Sequence, residues 1–441
     1  MSSRLVKPRV PLRILLVAAL VSLASGAVVI PQATGQPAVS ATVAADSPAT
    51  AIPSYLIQTS TGIGDDSAVT KPGFTPAGWY PASARSTVYA ALVQDNVHPD
   101  PFYSTRMRDV PKSDFTVPWW YRAEITLDAS AQRTYLDFSG VLSKADVWVN
   151  GTRIATKDQV NGAYTRHDLD VTAQVHEGVN AVAFKVYPND PLKDLSMGWI
   201  DWAQTPPDQN MGIVRDVLVR RSGPVALRGA HVVTKLTVPS LDHVDLTVKA
   251  DVRNDSAAAV STVVSGTVAG RAISQTVSLA AKEKKTVTFP VVGIDNPNIW
   301  WPADMGAQPL YDLSLTAAVG GTTSDVTSKR FGVRDVKATL NSSGGRQYSI
   351  NGKNLLIRGG GYSPDLLLRW NRTYASDKLK YVKDLGLNTV RLEGHIEPDE
   401  FFDLADELGV LTMPGWECCD KWEGQVNGGE AGDAWTAADY P

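Results

Sequence analysis

The chain reads as a multidomain protein that is all-β for most of its length and α/β at its end. The expected parts are a jelly-roll β-sandwich, an immunoglobulin-like β-sandwich, and the first three βα units of a (β/α)8 barrel. Three observations predict this. Short alternating or apolar runs separated by turn residues fill residues 52–221, with no helix of ordinary length. From Pro224 to about Asp335 strands recur every dozen or so residues. From Asn354 onward apolar runs alternate with helical periods, as in a parallel sheet. At 441 residues the chain is also too long for one core, and two to three domains are expected.

Taken in order, the N-terminus looks like an export signal. Arg4, Lys7, Arg9 and Arg13 precede an apolar run from Ile14 to Ala24, well short of the roughly 20 residues that a membrane span needs. Ser25-Gly26-Ala27 supplies small residues for cleavage, and a twin-arginine pair is absent. Residues 1–27 therefore read as a signal peptide, and 28–47, rich in Ala, Pro, Thr and Val, as a pro-segment or linker. The mature protein is expected to be secreted and free of the membrane; an uncleaved anchor is the alternative.

Residues 48–222 form the first sandwich. Its predicted strands are Trp119–Leu127, Thr134–Phe138, Asp146–Val149, Arg153–Ala155, Asn180–Tyr187 and Val214–Val219. Asn150-Gly151 sits between two alternating runs, a strong hairpin signal because both central residues must take positive φ. Residues 223–335 form the second, with strands at Ala230–Leu236, Val244–Arg253, Ala258–Val268, Ala272–Leu279, Lys285–Phe289 and Tyr311–Val319. It lacks the Cys-Trp-Cys signature. Residues 336–441 hold a strand at Leu355–Gly359, a helix at Ser376–Leu385 and a strand at Asn388–Glu393, then a helix at Pro398–Leu408 and a strand at Val410–Glu417. Gly386 and Gly409 are the helix stops. A closed barrel needs eight such strands and roughly 250 residues, so this domain reads as incomplete at Pro441.

Composition excludes several functions. A net charge of −4 gives no basic face for nucleic acid. The six histidines are scattered without ligand spacing, so neither a metal nor another cofactor is expected. The two cysteines are adjacent, Cys418-Cys419, which excludes a disulfide framework. A strained vicinal disulfide and two free buried thiols both remain open. Twelve Trp and fourteen Tyr offer flat faces that suit sugar rings, though sandwich cores explain most of them.

The chain resembles glycoside hydrolase family 2, the architecture of β-galactosidase, β-glucuronidase and β-mannosidase. In the first domain the resemblance rests on Tyr121-Arg122-Ala123, Phe138-Ser139-Gly140-Val141, the hairpin from Ala145 to Gly151, and Gly212-Ile213-Val214-Arg215-Asp216-Val217. In the second it rests on Trp300-Trp301-Pro302 and Phe331-Gly332-Val333-Arg334. In the third the markers are Ile350-Asn351-Gly352-Lys353, Arg358-Gly359-Gly360, Gly386 to Arg391, and Asp406 to Val410. Within the family, Gly360 to Asp365, Arg391 to His395 and Gly415 to Trp422 look most like actinobacterial exo-β-D-glucosaminidases, which release glucosamine from the non-reducing ends of chitosan.

The resemblance implies a retaining glycosidase, whose two carboxyl groups stand about 5–5.5 Å apart. Family 2 carries them at the ends of the fourth and seventh barrel strands. No residue of this chain is therefore assigned to catalysis, and the acid/base and the nucleophile are expected beyond Pro441. The fragment alone is expected to be inactive. What is expected here is the wall that recognises substrate, because barrel sites lie at the C-terminal strand ends. Tyr362 and Asp365 follow the first strand, Glu393 and His395 the second, and Glu417 the third.

The ammonium at C2 of glucosamine must meet a carboxylate, and Glu393 is the first choice, with Glu417 and Asp365 behind it. The bland reading of Glu393 is a salt bridge to Arg391 or Arg358. Arg391 should share the face of Glu393 and orient carboxylates, with His395 on that side farther along. His395 is as readily a capping or core histidine as a ligand contact. Trp416 and Trp422 are stacking candidates, core packing being the alternative and Trp422 favoured for the cleft. Met197 to Ala203 resembles the family loop that reaches from the sandwich to the terminal sugar, which makes Asp201 a further contact. The expected partner is chitosan or another β-linked oligosaccharide, and the expected state a monomer. A β-mannosidase and a non-catalytic carbohydrate-binding module are the competing readings.

Overall fold

A computed structural model describes residues 40–43, 49–61, 63–128, 132–190, 193, 194, 196 and 203–415. Trp416, Glu417, Cys418-Cys419 and Trp422 lie outside the described residues, as does the rest of the chain from there to Pro441. The leader and the loop carrying Asp201 lie outside them too.

The first body has a seven-stranded sheet in the order Thr152–Ala155, Ala145–Val149, Gly178–Val186, Trp119–Leu127, Ser54–Thr59, Tyr80–Ser83, with Ser40–Val43 pairing parallel to Trp119–Leu127. A four-stranded sheet, His167–Asp170, Arg133–Phe138, Val217–Ser222, Ala49–Ala51, and a three-stranded one complete it. Ile57, Tyr121, Ile125, Leu136, Phe184 and Val219 belong to the one apolar core they share. Two buried polar groups of Trp119–Leu127, on opposite faces of the strand, are each hydrogen-bonded. Tyr121 donates to the Ser86 carbonyl (3.0 Å), while buried Arg122 donates to the carbonyls of Val69 and Lys71, each 2.9 Å away. Asn150 and Gly151 take the expected positive φ, 49° and 83°.

Two expectations for this body need correction. Val88–Gln94 is a helix, capped by Thr87 Oγ1 accepting from the Ala90 amide. Five of its residues, Val88 to Leu92, are buried, so no amphipathic period betrays it. The strand expected at Val214–Val219 is in fact two, Gly212–Ile213 and Val217–Ser222. Arg215 and Asp216 leave both sheets between them; Arg215 reaches the third body, and Asp216 pairs with Arg85.

The second body is two four-stranded sheets. One holds Val225–Leu236, His243–Asn254, Lys284–Thr288 and Val292–Asp295; the other holds Arg271–Leu279, Val260–Val268, Tyr311–Val319 and Thr322–Phe331. The last strand was not expected, because its run of Thr, Ser, Asp and Lys shows no alternating apolar pattern to read. Tyr311–Val319 holds it in register from Phe331 to Thr322.

The link to the third body is itself a three-stranded antiparallel sheet, Val336–Leu340, Arg346–Ile350 and Lys353–Leu355. The first parallel strand is therefore displaced to Gly359–Tyr362, four residues on from the expected start at Leu355. It pairs in parallel with Thr389–Leu392, which pairs in parallel with Leu411–Met413. Gly359 is required by the close approach of the strands, since a Cβ there would sit 2.1 Å from the Thr389 carbonyl oxygen. Helices Arg372–Asp384 and Asp399–Leu408 cover one face over Leu379, Val390, Leu392, Phe401 and Leu404. Gly409 closes the second helix at φ 73°.

The third body is fixed from two sides. Trp300, 1% exposed, donates through Nε1 to the Asp406 carbonyl (2.8 Å), while Arg334 lies 4.5 Å over its ring and pairs with the Asp406 carboxylate at 3.0 Å. On the other side Leu367 is buried in the core of the first body, and Arg215 donates to the Ile396 carbonyl at 2.7 Å. Arg85 bridges Asp216 (2.5 Å) and Glu400.

Candidate functional site

Pleating divides the strand-end residues into two sets. Tyr362 and Leu392 pair in register and face the helix layer, where Tyr362 packs 5.0 Å from the Phe401 ring. Gly361, Arg391 and Met413 are in register across the three strands and face the opposite side, which no element among the described residues is shown to cover and where Met413 is 39% exposed. Glu393 is two residues beyond Arg391, and their side chains form a 3.0 Å ion pair, Arg391 53% and Glu393 30% exposed. Oε2 of Glu393 lies over Gly361: a Cβ at 361 would be 3.3 Å from it. A small first strand thus leaves room for a carboxylate at the mouth of the open face.

The other residues singled out from sequence sit elsewhere. Tyr362 lies behind the sheet, and burial raises its hydroxyl pKa. His395 leaves the side of Glu393, because Gly394 at φ 68° breaks the pleat. Its ring, 3% exposed, stacks 6.4 Å from Tyr362; Nδ1 bonds to the Glu393 carbonyl at 2.8 Å, and Nε2 is 3.5 Å from Glu397. Asp365 makes a two-pronged pair with Arg369 (2.9 and 2.6 Å) and accepts from the Leu367 amide, which shapes its own loop. Arg358, the other expected partner of Glu393, pairs with Asp304 instead at 2.5 Å.

Sequence reasoning missed a second concavity, lined by Arg215, Tyr362, Asp365, Tyr374, Lys378 and Glu397, among others. Lys378 Nζ lies 4.7 Å from the Tyr362 ring centre and 4.6 Å from that of Tyr374, and donates to the Ser363 carbonyl. Burial lowers its pKa, with Glu397 and Asp365 opposing. The i, i+4 spacing of Tyr374 and Lys378 on one helix was the available signal. Arg215, likewise lowered by burial, closes the concavity from the first body. Among the described residues no cluster of His, Cys, Asp and Glu could hold a metal ion, and no helix is long and apolar enough to cross a membrane.

The chemistry of the open face is that of a polar wall: a carboxylate held by a guanidinium, with apolar Met413, 39% exposed, beside it. Such a wall binds a cationic or hydroxyl-rich ligand. The catalytic pair expected beyond Pro441 falls outside the described residues.

Residues 65–193 match the family described as glycosyl hydrolase 2 galactose-binding domain-like, and residues 225–334 match glycosyl hydrolases family 2. The chain is 72% identical to an exo-β-D-glucosaminidase of Amycolatopsis orientalis over 443 aligned positions, 100% of this chain and 43% of that protein. It is 61% identical to the exo-β-D-glucosaminidase of Streptomyces avermitilis, over 89% of this chain and 44% of that one. The crystal structure of the Amycolatopsis orientalis exo-chitosanase superposes with a TM-score of 0.87 at 76% identity, covering 90% of this chain and 46% of the other. The chain thus spans less than half the length of these relatives.

Proposed function

Because this chain belongs to glycoside hydrolase family 2, we propose that it forms the N-terminal, sugar-recognising part of a secreted, retaining exo-glycosidase that removes terminal β-linked glucosamine from chitosan. In this reading the first body is the jelly roll, the second the immunoglobulin-like domain, and the parallel sheet the opening of a (β/α)8 barrel. The observation that carries it is the placement of Glu393. Its carboxylate stands on the face away from the two helices, 30% exposed and held by Arg391.

Physical chemistry supports the assignment. A glucosamine ammonium entering a pocket loses water and needs a carboxylate in return. The Arg391 guanidinium, 3.0 Å away, holds the Glu393 carboxylate in position, so that this cost is met at the moment of binding. In the proposal the acid/base and nucleophile lie beyond Pro441, and the chain by itself does not hydrolyse substrate. Asp201, Glu417 and Trp422 stay in the proposal as further contacts. Asp365, engaged with Arg369, and Tyr362, behind the sheet, serve as supports of the wall rather than as sugar contacts.

The test uses a completed enzyme, in which this chain is continued by the C-terminal part of the Amycolatopsis relative. It should release glucosamine from chitosan oligomers. Glu393→Gln should lower kcat/KM for glucosaminides by about 10- to 100-fold, the worth of a charge-assisted hydrogen bond. Neutral β-glucosides, with no cation to leave unpaired, should suffer less. Equal penalties on amino and neutral sugars would remove Glu393 from this role. Hydrolysis of mannosides with none of glucosaminides would overturn the substrate.

A further inference from the structure

One surface of the first body is unused by the site described above. Residues 99–110 form a turn-rich loop whose fold is fixed from within: Met107 and Val110 are buried in the first core at 4% and 7% exposure. Phe102 accompanies the Asp100 carboxylate, which accepts its amide at 3.0 Å. The Asp109 carboxylate ties back to Thr105 at 2.5 Å. Yet Phe102 and Tyr103 stand 51% and 64% exposed. Each ring has a guanidinium on it: Arg369 lies 5.4 Å from the centre of Phe102, and Arg106 lies 4.8 Å from that of Tyr103. The rings are held in place rather than left to collapse, and neighbouring large aromatics are costly to present to water.

Arg369 also connects this loop to the strand ends. Its other contact is the two-pronged pair with Asp365, which follows the first parallel strand. The sequence of contacts Phe102, Arg369, Asp365 therefore joins the aromatic pair to the loop that follows the first parallel strand. We propose that Phe102 and Tyr103 are a stacking platform for sugar units of a β-linked glucosamine chain beyond the terminal residue. The proposal rests on the reading of the chain as a part of a chitosan-active enzyme. The apolar C–H face of a β-linked pyranose lies flat on such rings, and Asp100, exposed beside them, is a counter-charge for an ammonium. Arg369 brings no competing cation, because Asp365 neutralises it.

The test titrates the 441-residue chain with a glucosamine hexamer by calorimetry. The parent should bind, and Phe102→Ala with Tyr103→Ala should raise Kd about tenfold or more, two ring contacts being lost. Since both side chains are exposed, circular dichroism and Tm should stay unchanged. Phe102→Tyr with Tyr103→Phe keeps both rings and should keep Kd within about twofold. No binding by the parent, or an unchanged Kd in the double alanine variant, overturns the platform. A cellulose hexamer that binds as tightly, with the same loss in the variant, leaves the platform standing and refutes the glucosamine reading instead.

Discussion

Asp208 offers a sharp test of the electrostatics inside the first body. It is 2% exposed, and its carboxylate accepts from the amides of Tyr89 (2.8 Å) and Asn210 (2.9 Å). Those bonds favour the ionised form, but burial is the larger effect and raises the pKa from 3.8 to about 6. A folded-state pKa above the unfolded one means that the folded protein binds more protons between the two values. The associated stability is present below pH 3.8 and lost as pH rises through about 6. Two pKa units amount to about 3 kcal/mol. Asp208→Asn cannot titrate and keeps one acceptor, at the cost of about 1–3 kcal/mol for the amide left facing an N–H. The free energy of unfolding of the parent minus that of the variant should therefore fall by roughly 2–2.5 kcal/mol from pH 4 to pH 7.5. Urea unfolding followed by Trp fluorescence at both pH values measures it, and the subtraction removes carboxylates common to both proteins. A difference that stays constant, or one that grows with pH, refutes the assignment of burial as the dominant cause.

Other outcomes follow from single contacts. Trp300→Ala should cost about 3–5 kcal/mol, because it empties a fully buried site and leaves Arg334 without its ring; chemical unfolding and faster proteolysis beyond residue 335 would register it. Gly359→Ala should separate the first two parallel strands, since the new methyl meets a carbonyl oxygen rather than a yielding side chain. A loss of about 1–3 kcal/mol or more is expected by chemical unfolding, with amide exchange rising in Thr389–Leu392. Arg85→Ala leaves Asp216 and Glu400 without the mostly buried guanidinium they share, and should cost about 1–3 kcal/mol in Tm-derived stability.

Where a single element decides its own conformation, the sequence was sufficient. Trp119–Leu127 and Tyr311–Val319 occur with the bounds expected, and Asn150-Gly151 turns as its two residues must. The reading failed where tertiary partners decide. Val88–Gln94 is helical because a core surrounds nearly all of it, so its apolar run has no period to read. Leu355–Gly359 reads as a strand by composition, but Lys353–Leu355 is taken by an antiparallel partner and the parallel strand moves to three glycines and a tyrosine. For the wall, the pleat rule put Arg391 and Glu393 on one side correctly, since both lie on or just past one strand. It misplaced His395 because Gly394 ends the alternation before that residue.

The motifs that carried the family resemblance turn out to have a shared physical use. Trp300 and Arg334 close on the backbone and side chain of Asp406, and Ala303 donates to the Gly409 carbonyl at 2.9 Å. Arg215 and Tyr164 fasten the turn at Ile396, while Asp216 reaches Glu400 through Arg85. None of these residues faces the open side of the parallel sheet. They set how the three bodies meet, and that in turn fixes where Glu393 and the loop of Phe102 stand relative to one another. In the proposed reading the recognition residues lie at the strand ends, and the motifs that carry the resemblance are the joints that hold them. A change at a joint should therefore move KM and Tm together, whereas a change at Glu393 in the completed enzyme should spare Tm.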